Sequence, residues 1–237
     1  MRYAFVTDRG KERENNEDAA LAVPELGLFV IADGMGGHSG GEIASHVAID
    51  SLVAYIKGHG PAPQLEDEAR LLCEATLEAN NAVLHEAEQR SLFGMGTTLT
   101  TLQIRDRTAT VAHVGDTRAC FVIGGELSVL TRDHNLASLL VDQGIIRREQ
   151  ATSHPERHML TQAVGTHEAV EPDVIQTRIP PDARILLSTD GLHDVVPGDE
   201  IAELAAGDEL EAAAQALVQR ANEYGGPDNV TVVLIEP

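Results

Sequence analysis

One stretch of the chain reads Leu28-Phe29-Val30-Ile31-Ala32-Asp33-Gly34, an apolar run that stops at an aspartate beside a glycine. Two further runs stop in the same way, Val111-Ala112-His113-Val114-Gly115-Asp116 and Ile185-Leu186-Leu187-Ser188-Thr189-Asp190-Gly191. Runs of this length, rich in Val, Ile and Leu, are typical of buried strands. An aspartate at the end of a buried strand loses much of its water, and three such groups that meet in space would need cations between them. The sequence therefore predicts a carboxylate-lined metal site and, with it, an enzyme.

The charge of the chain excludes several classes of partner. Its 237 residues include 38 acidic and 17 basic side chains, which gives a formal net charge of −21. Nucleic acids and anionic membranes attract basic surfaces, so we expect neither among the partners. Aromatic residues make up only 3% of the chain and Trp is absent, which also argues against a surface on which bases stack.

Cysteine usage and the first residues favour the cytoplasm. Cys73 and Cys120 do not have the spacing of a thiolate zinc site or of a disulfide framework. Charged residues follow Met1-Arg2-Tyr3, where a secretory signal would have an apolar stretch. No apolar run approaches the ~20 residues of a membrane span. We therefore expect a cytoplasmic protein without a membrane anchor, and a monomer.

The spacing of apolar residues changes along the chain between the strand period and the helix period. Helical spacing extends from residue 42 to a break at 58–63, and again over 65–90. Strand patterns with short connections follow, over 97–104, 108–114, 119–123 and 127–130, and they predict an antiparallel meander. Helical segments over 199–224 and a strand over 230–235 complete the chain. Strands do not alternate with helices, so the pattern favours mostly antiparallel sheets flanked by helices.

Residues 131–170 differ from the sequence on either side. They are polar, contain a short helical pattern near 136–143 and include many histidines. Functional loops are concentrated in insertions of this kind, so we expect a flap over the edge of a sheet. We find no internal repeat, low-complexity tract or linker, and we predict a single catalytic domain over residues 1–237 with a flap subdomain over 131–170.

Further acidic residues stand at strand boundaries. Glu17-Asp18 precedes one strand and Asp228 precedes another, so a shared sheet edge could gather these residues with the three aspartates above. Ligand sets made only of oxygen favour Mn²⁺ or Mg²⁺. Two such ions about 3.5–4 Å apart would hold a hydroxide as the nucleophile. Arg13 lies close before Glu17, and its guanidinium would match the fork of oxygens that a phosphate presents.

The glycine-rich loop over residues 34–41 suggests two interpretations. It follows a strand and opens a helix, but Ser39 stands where a dinucleotide-binding pattern needs glycine, and no Gly-Lys-Ser/Thr end follows. The glycines are better suited to bringing the backbone close to a metal, with a main-chain carbonyl as a ligand. His38 in this loop is the candidate general acid for a departing alkoxide, a role worth about 10²–10⁴-fold in rate.

Other candidates for ligands and nucleophiles are weaker. His154 and His158 have a zinc-like spacing, but Pro155 argues against a helix that would align them, so we expect surface or flap residues. His113 lies inside a buried run and is expected to be a hydrogen-bonded core residue. Ser188 lacks the Gly-x-Ser-x-Gly context of a hydrolase nucleophile.

Six motifs follow one another in an order that is specific to one family. They are Arg13-Glu14-Asn15-Asn16-Glu17-Asp18, Asp33-Gly34-Met35-Gly36-Gly37-His38, Gly94-Met95-Gly96-Thr97-Thr98, Gly115-Asp116-Thr117-Arg118, Asp190-Gly191 and Gly226-Pro227-Asp228-Asn229. Each is weak alone, but together the chain resembles the metal-dependent type 2C serine/threonine protein phosphatases (the PPM family), in particular their compact bacterial members.

The resemblance implies a fold and an activity. The fold is of the α+β class, an α-β-β-α four-layer sandwich with two central, mostly antiparallel sheets. The activity is hydrolysis of phosphoserine and phosphothreonine in proteins by a hydroxide that bridges two Mn²⁺ or Mg²⁺ ions. The implied partners are phosphorylated proteins, a serine/threonine kinase and its substrates among them, in bacterial signalling.

The resemblance also implies the ligands of the two catalytic ions. Asp33 would bridge both ions, and the carbonyl of Gly34 would bind one of them. Asp190 and Asp228 would complete the shell of the other ion.

The remaining site residues implied by the resemblance surround these ligands. Glu17 and Asp18 would hold metal-bound waters, and Arg13 would bind the phosphate. Asp116 would bind a third, weaker ion that it shares with Asp190.

The chain departs from the family pattern in a few places. Thr117 stands where serine is usual, and Met35 takes the place of the histidine of many eukaryotic members. His158 and Gln162 replace an asparagine and an arginine that are common in the flap, a change that bears on substrate preference. Two other functions fit the residues: a catalytically silent relative that binds phosphorylated partners, and a phosphatase or phosphodiesterase for small metabolites. The full acidic set argues against the first, and room for a bulky substrate under the flap argues against the second.

Overall fold

Two β-sheets face each other at the centre of the molecule. The computed structural model describes residues 1–36, 40–62 and 64–237. The strands in these residues are β1 (Arg2–Asp8), β2 (Asp18–Val23), β3 (Leu28–Met35), β4 (Gly96–Thr97), β5 (Leu99–Arg105), β6 (Thr108–Val114), β7 (Arg118–Ile123), β8 (Glu126–Val129), β9 (Asp173–Arg178), β10 (Arg184–Ser188) and β11 (Val230–Glu236). The first sheet has the order β1-β11-β10-β7-β8, and the second has the order β2-β3-β5-β6-β9 with β4 paired to β3. Each of these strand pairs is antiparallel.

Helices cover the outer faces of both sheets. The α-helices in the described residues are α1 (Gly40–His59), α2 (Leu65–Arg90), α3 (Leu136–Asp142), α4 (Arg148–Ala151), α5 (Asp190–His193), α6 (Gly198–Ala205) and α7 (Leu210–Glu223). The long helices α1 and α2 pack on the second sheet through residues such as Leu52 and Leu72, and α6 and α7 pack on the first through Ile201 and Leu217. The predicted α+β class and four-layer α-β-β-α sandwich are confirmed.

Strand β3 is apolar from Leu28 to Ala32 because both of its faces are buried. Leu28 and Val30 belong to the core against α1 and α2, whereas Phe29 and Ile31 belong to the core between the two sheets. Side chains alternate between the faces of a strand, so a strand that lies between two buried layers becomes a continuous apolar run. The ring of Phe29 packs edge-on against Tyr3 of the opposite sheet, with centroids 5.5 Å apart. The inter-sheet core thus holds the two halves of the site in register.

The predicted meander is wrong, because its strands are divided between the two sheets. β5 pairs with β6 in the second sheet, and β7 pairs with β8 in the first. The chain crosses from one sheet to the other between β6 and β7, through Gly115, whose φ of 110° is unfavourable for other residues. A short connection between two strand patterns does not distinguish a hairpin from such a crossing. The crossing has a consequence for function, since it carries Asp116.

Several elements depart from the sequence prediction. The sequence pattern does not predict β9. This strand lies at the edge of the second sheet, where half-buried and exposed residues alternate, and it contains few large apolar side chains. The short helix α4 was not predicted either. Helix α1 begins at Gly40 and continues through Gly58 to His59, beyond the predicted break.

Residues 131–170, the predicted flap, are tied to the sandwich near their C-terminal end. Val164 pairs with Thr97 of β4 as an isolated bridge, and Asn135 pairs with Leu160 within the flap. The buried side chain of Asn80 in α2 accepts a hydrogen bond from the Gly165 amide at 2.7 Å and donates to a carbonyl two residues further on. These contacts place the end of the flap beside the acidic end of β3.

The helices and the cysteines bear on two of the sequence predictions. Among the described residues, no helix combines the length and the apolar character that a membrane span requires. Cys73 is half-buried and Cys120 is buried, and both are free thiols.

The inter-sheet core predicts a large difference between two phenylalanines. Phe29 is fully buried and Phe93 is 83% exposed. We expect Phe29→Ala to lower the free energy of unfolding by about 3–5 kcal/mol, since it leaves a cavity between the sheets. The matched control Phe93→Ala should change it by less than about 0.5 kcal/mol. Urea denaturation measures both, and equal effects would contradict the placement of Phe29.

Candidate metal centre

The predicted acidic residues converge at adjacent ends of both sheets. In the second sheet, Asp33 near the end of β3 is paired in register with Asp18 at the start of β2. In the first sheet, Asp190 follows β10 and Asp228 precedes β11. The sequence predicts one shared sheet edge for these acidic residues. In the structure they come instead from two sheets, which the inter-sheet core brings together.

The glycines beside two of these aspartates permit close backbone contact. A Cβ on Gly34 would overlap the carbonyl oxygen of Gly41, and a Cβ on Gly191 would overlap that of Asn229. Any side chain at these positions would push apart the segments that carry the acidic groups. The repeated Asp-Gly pattern thus has a steric cause, which is the close approach of main-chain segments around the site.

Two threonines hold the main chain of Asp33. Its amide donates to Oγ1 of Thr98 at 2.9 Å, and its carbonyl accepts from the Thr98 amide and from Oγ1 of Thr97, each at 2.9 Å. Both threonines belong to a motif whose residues received no role from the sequence. The structure shows that they orient the strand end that carries Asp33.

Asn229 joins the N-terminal segment to the end that carries Asp228. Its side-chain oxygen accepts from the Glu17 amide at 2.8 Å, and its side-chain nitrogen donates to the carbonyls of Arg9 and Asn15 at 2.9 and 2.8 Å. Sequence reasoning gave this residue no role, although it follows Asp228 directly. A buried amide with all of these partners fixes the segment that positions Glu17.

Arg13 lies at the solvent side of the site. Its Nη2 donates to Oδ2 of Asp228 at 2.7 Å, and its side chain is 53% exposed. The carboxylate orients a guanidinium that has further donors free to face the cavity.

Asp116 is placed by the crossing between the sheets. The amide of Gly115 donates to Nδ1 of His134 at 3.3 Å, and Nε2 of the same imidazole contacts Oδ2 of Asp173 at 3.2 Å. An imidazole that accepts at Nδ1 carries its proton at Nε2 and can donate it to Asp173. His134 therefore links the crossing to Asp173 at the start of β9.

One cavity of about 870 Å³ brings most of the predicted site residues together. Those that line it are Arg13, Glu17, Asp33, Gly34, Asp116, Asp190 and Asp228. Asp18 lies behind this surface, only 5% exposed, with Oδ2 accepting from Oγ1 of Thr189 at 2.9 Å. The opposite wall is the flap, with His158, Gln162 and His167.

The crowding of carboxyl groups changes their acidity. Burial, followed by the charges of Asp18 and Asp190, raises the pKa of Asp33 well above its usual range. Burial raises the pKa of Asp18 to about 7, although hydrogen bonds oppose the shift. Burial and the charge of Asp190 also raise the pKa of Asp116 and of Asp228. Since these groups repel one another, a divalent cation among them would be stabilised.

The donor set fits hard divalent ions. Oδ1 of Asp18 and Oδ1 of Asp190 are buried and have no hydrogen-bond partner among the described residues. A buried carboxylate oxygen without a donor is costly, and metal coordination or an ordered water is the usual remedy. Carboxylate and carbonyl oxygens are the ligands that Mn²⁺ and Mg²⁺ use.

Two residues near the site received no metal role from the sequence. Asp194 lies four residues after Asp190, on the same side of a helical turn, and that spacing is the signal that could have identified it. His158, expected on the surface or in the flap, has Nδ1 3.1 Å from Oδ2 of Asp194 and 3.7 Å from Oδ2 of Asp190.

The other histidine predictions have different outcomes. The candidate acid His38 lies outside the described residues. His113 is fully buried, with Nδ1 2.8 Å from Oγ1 of Thr100 and Nε2 3.1 Å from the Arg132 carbonyl, as expected for a hydrogen-bonded core residue.

A family model described as Protein phosphatase 2C matches residues 8–234. The chain belongs to the protein phosphatase 2C family. The resemblance based on the six motifs is thereby confirmed.

Characterised relatives agree with this membership. The serine/threonine protein phosphatase PstP of Mycobacterium tuberculosis is 38% identical over 237 residues, which are 100% of this chain and 45% of the relative. The protein phosphatase PhpP of Streptococcus pneumoniae is 36% identical over 243 residues, covering 99% of this chain and 97% of the relative. The chain thus spans about half the length of PstP and nearly the whole length of PhpP.

Solved structures of the family share the fold. The crystal structure of Mycobacterium tuberculosis PstP superimposes with a TM-score of 0.90 at 38% identity, over 98% of this chain and 97% of that chain. The catalytic domain of PstP in complex with two manganese ions gives a TM-score of 0.86 at 36% identity, over 98% and 96% of the two chains.

The raised pKa of Asp18 predicts a pH-dependent stability. The folded state keeps this carboxyl protonated up to about pH 7, whereas the unfolded chain ionises it near pH 4. In EDTA, its contribution to the free energy of unfolding should therefore fall as the pH rises from about 4 to about 7. We expect Asp18→Asn to stabilise the protein at pH 7 by up to about 4 kcal/mol, and to have little effect at pH 4.

Denaturation with urea at both pH values measures this difference. The control Asp50→Asn changes an exposed residue of α1 and should have an effect below about 0.5 kcal/mol at either pH. An Asp18→Asn effect that is the same at pH 4 and pH 7 would contradict the raised pKa.

Proposed function

We propose that this chain is a metal-dependent phosphatase that hydrolyses phosphoserine and phosphothreonine in proteins. One observation carries the proposal. Carboxylates from two different sheets line one cavity, with an arginine at its solvent side and two buried carboxylate oxygens that no described residue satisfies. Membership of the protein phosphatase 2C family supports the same reaction.

The residues divide between two Mn²⁺ or Mg²⁺ ions. Asp33 would contact both ions and the Gly34 carbonyl would bind one of them, while Asp190 and Asp228 would bind the other. The pairing of Asp33 with Asp18 across β2 and β3 supports a cation here, since it places a second carboxylate beside the first. The complex of PstP with two manganese ions supports the number and the kind of ion.

The remaining roles follow from position. Glu17 in the cavity and Asp18 behind it would orient metal-bound waters, and Asp116 with Asp190 would bind a third ion. When bound, two divalent ions lower the pKa of a shared water, so that a nucleophile is available at neutral pH.

The chain itself orients the substrate. Arg13 would bind two phosphate oxygens in its fork, and Asp228 holds the guanidinium in place for that contact. The role of His38 as the acid that protonates the departing alkoxide stays a prediction.

The wider setting is also proposed. We infer that residues 1–237 form one catalytic domain with residues 131–170 as the flap, and that the enzyme acts as a monomer in the cytoplasm, where free thiols such as Cys120 persist. Its substrates would be phosphorylated proteins, including a serine/threonine kinase and that kinase's substrates. PstP and PhpP, which are protein phosphatases, support this substrate class.

The metal requirement can be tested with an aryl phosphate and a phosphothreonine peptide. We expect turnover in Mn²⁺, its loss in EDTA, and a fall in kcat of about 10³-fold or more in Asp33→Asn, because the variant lacks a charge that binds the ions. Asp50→Asn should turn over like the unmodified protein. Activity that survives chelation, or that is equal on a phosphotyrosine peptide, would contradict the proposal.

The arginine contact predicts a different kinetic change. Arg13→Ala should lower kcat/KM for the aryl phosphate by about 10²-fold, since a charge-assisted, bidentate contact with phosphate is lost. The affinity for Mn²⁺, measured by calorimetry, should change little, since Arg13 supplies no ligand. Arg9→Ala is the control on the same segment. A variant that lost manganese binding and activity in parallel would show that Arg13 acts by supporting Asp228 instead.

A further inference from the structure

A second cavity adjoins the one that contains the acidic residues. Its volume is about 520 Å³, and its lining residues include members of β7 and β8 and of the flap helices α3 and α4. The two cavities share four lining residues, which are Asp116, Arg157, Asp190 and Asp194. Because they meet at these residues, a peptide bound at the centre can extend from the first cavity into the second.

Arginine side chains are concentrated in the second cavity. Four of the chain's 17 basic side chains line it, namely Arg118, Arg132, Arg148 and Arg157. The chain as a whole has a formal net charge of −21, so most of its surface repels anions. The second cavity is therefore a place beside the centre where an anionic group meets cations.

Two of these arginines are paired with carboxylates of the cavity wall. Arg118 donates to both oxygens of Asp133, at 2.9 and 2.6 Å, and the pair is largely shielded from water. Arg132 forms an ion pair with Asp142 of α3, and both of these side chains are exposed. The charges of both arginines are thus balanced within the fold, and we assign these residues to the wall.

The other two arginines have donors that can face an incoming group. Arg148, the first residue of α4, is exposed, and no ion pair with a carboxylate of the described residues involves its guanidinium. Arg157 lies where the cavities meet, with Nε 3.4 Å from Oδ2 of Asp194. A guanidinium has five N–H donors, so this contact leaves others for a second carboxylate.

We propose that Arg148, with Arg157 at the junction of the cavities, binds a glutamate or aspartate side chain that flanks the phosphorylated residue of the substrate. The inference rests on the proposed function, because it names the peptides that the same centre prefers. The guanidinium fork matches a carboxylate through two parallel hydrogen bonds. The occupant belongs to the substrate, since the second cavity opens onto the centre through shared lining residues.

The position of the second cavity makes the preference one-sided. It leaves the centre in one direction, towards α3 and α4, so residues on only one side of the phosphorylated residue reach Arg148. Acidic residues on the other side meet the remaining surface, where acidic side chains predominate. One acidic flank therefore favours hydrolysis and the other does not.

Three phosphothreonine peptides test the proposal in Mn²⁺ at low ionic strength. One has three glutamates before the phosphothreonine, one has three glutamates after it, and the third has glutamine at all six positions. We expect one glutamate peptide to exceed the glutamine peptide in kcat/KM by about three- to fivefold, the effect of an exposed charge pair. The other glutamate peptide should not exceed it, and high salt should reduce the preference because it screens the charges.

Two charge reversals locate the preference in the molecule. Arg148→Glu should abolish or invert it, whereas the matched control Arg147→Glu should retain it. Both variants change the net charge by the same amount, and Arg147 is an exposed neighbour that is not among the lining residues of the cavity. The ratio of kcat/KM for two peptides does not depend on the fraction of folded enzyme, so partial unfolding of a variant does not affect the result.

The outcomes separate this inference from the proposed function. No preference for either acidic flank, an equal preference for both, or an equal loss in the two variants would overturn the arginine subsite. Hydrolysis of the glutamine peptide would leave the phosphatase proposal intact in each of these cases. Failure to hydrolyse any of the three peptides in Mn²⁺ would overturn the proposed function and this inference with it.

Discussion

The repulsion among carboxylates at the end of the two sheets is the constraint on which the rest of the structure depends. Asp18 and Asp33 lie on the paired strands β2 and β3, Asp190 follows β10, and no lysine of the described residues lines the cavity. Such an arrangement persists only because burial of the inter-sheet core stabilises the fold by more than the repulsion between the carboxylates destabilises it. The folding free energy of the sandwich thus maintains a site that attracts divalent ions.

The main chain around the site is as important as the acidic side chains. Gly34 and Gly191 allow segments to approach until a single methyl group would not fit, and Asn229 joins three segments through one amide. Hydrogen bonds between buried groups are directional, so they hold the strand ends in one geometry. A site for two metal ions needs such a fixed geometry, since its ligands must be in place before the ions bind.

Much of the fold follows from periodicity, and the exceptions have physical causes. Helix α2 and strand β6 have the bounds that the pattern predicts, because their apolar residues repeat along a buried face. β9 was missed because an edge strand buries few large side chains. The division of the meander between two sheets was missed because a connection of a few residues can form a hairpin or a crossing, and only long-range packing decides which.

By itself, the sequence determined the family, the sandwich and the candidate acidic set, since strand ends marked by Asp-Gly pairs and ordered motifs are local properties of the chain. Only the tertiary structure decided which side chains come together around the cavity. It pairs Asp18 with Asp33, it makes Asn229 hold the N-terminal segment, and it brings His158 close to Asp190 and Asp194. The physical reason is that contacts between residues far apart in the chain depend on how layers pack, and no short window of sequence encodes that packing.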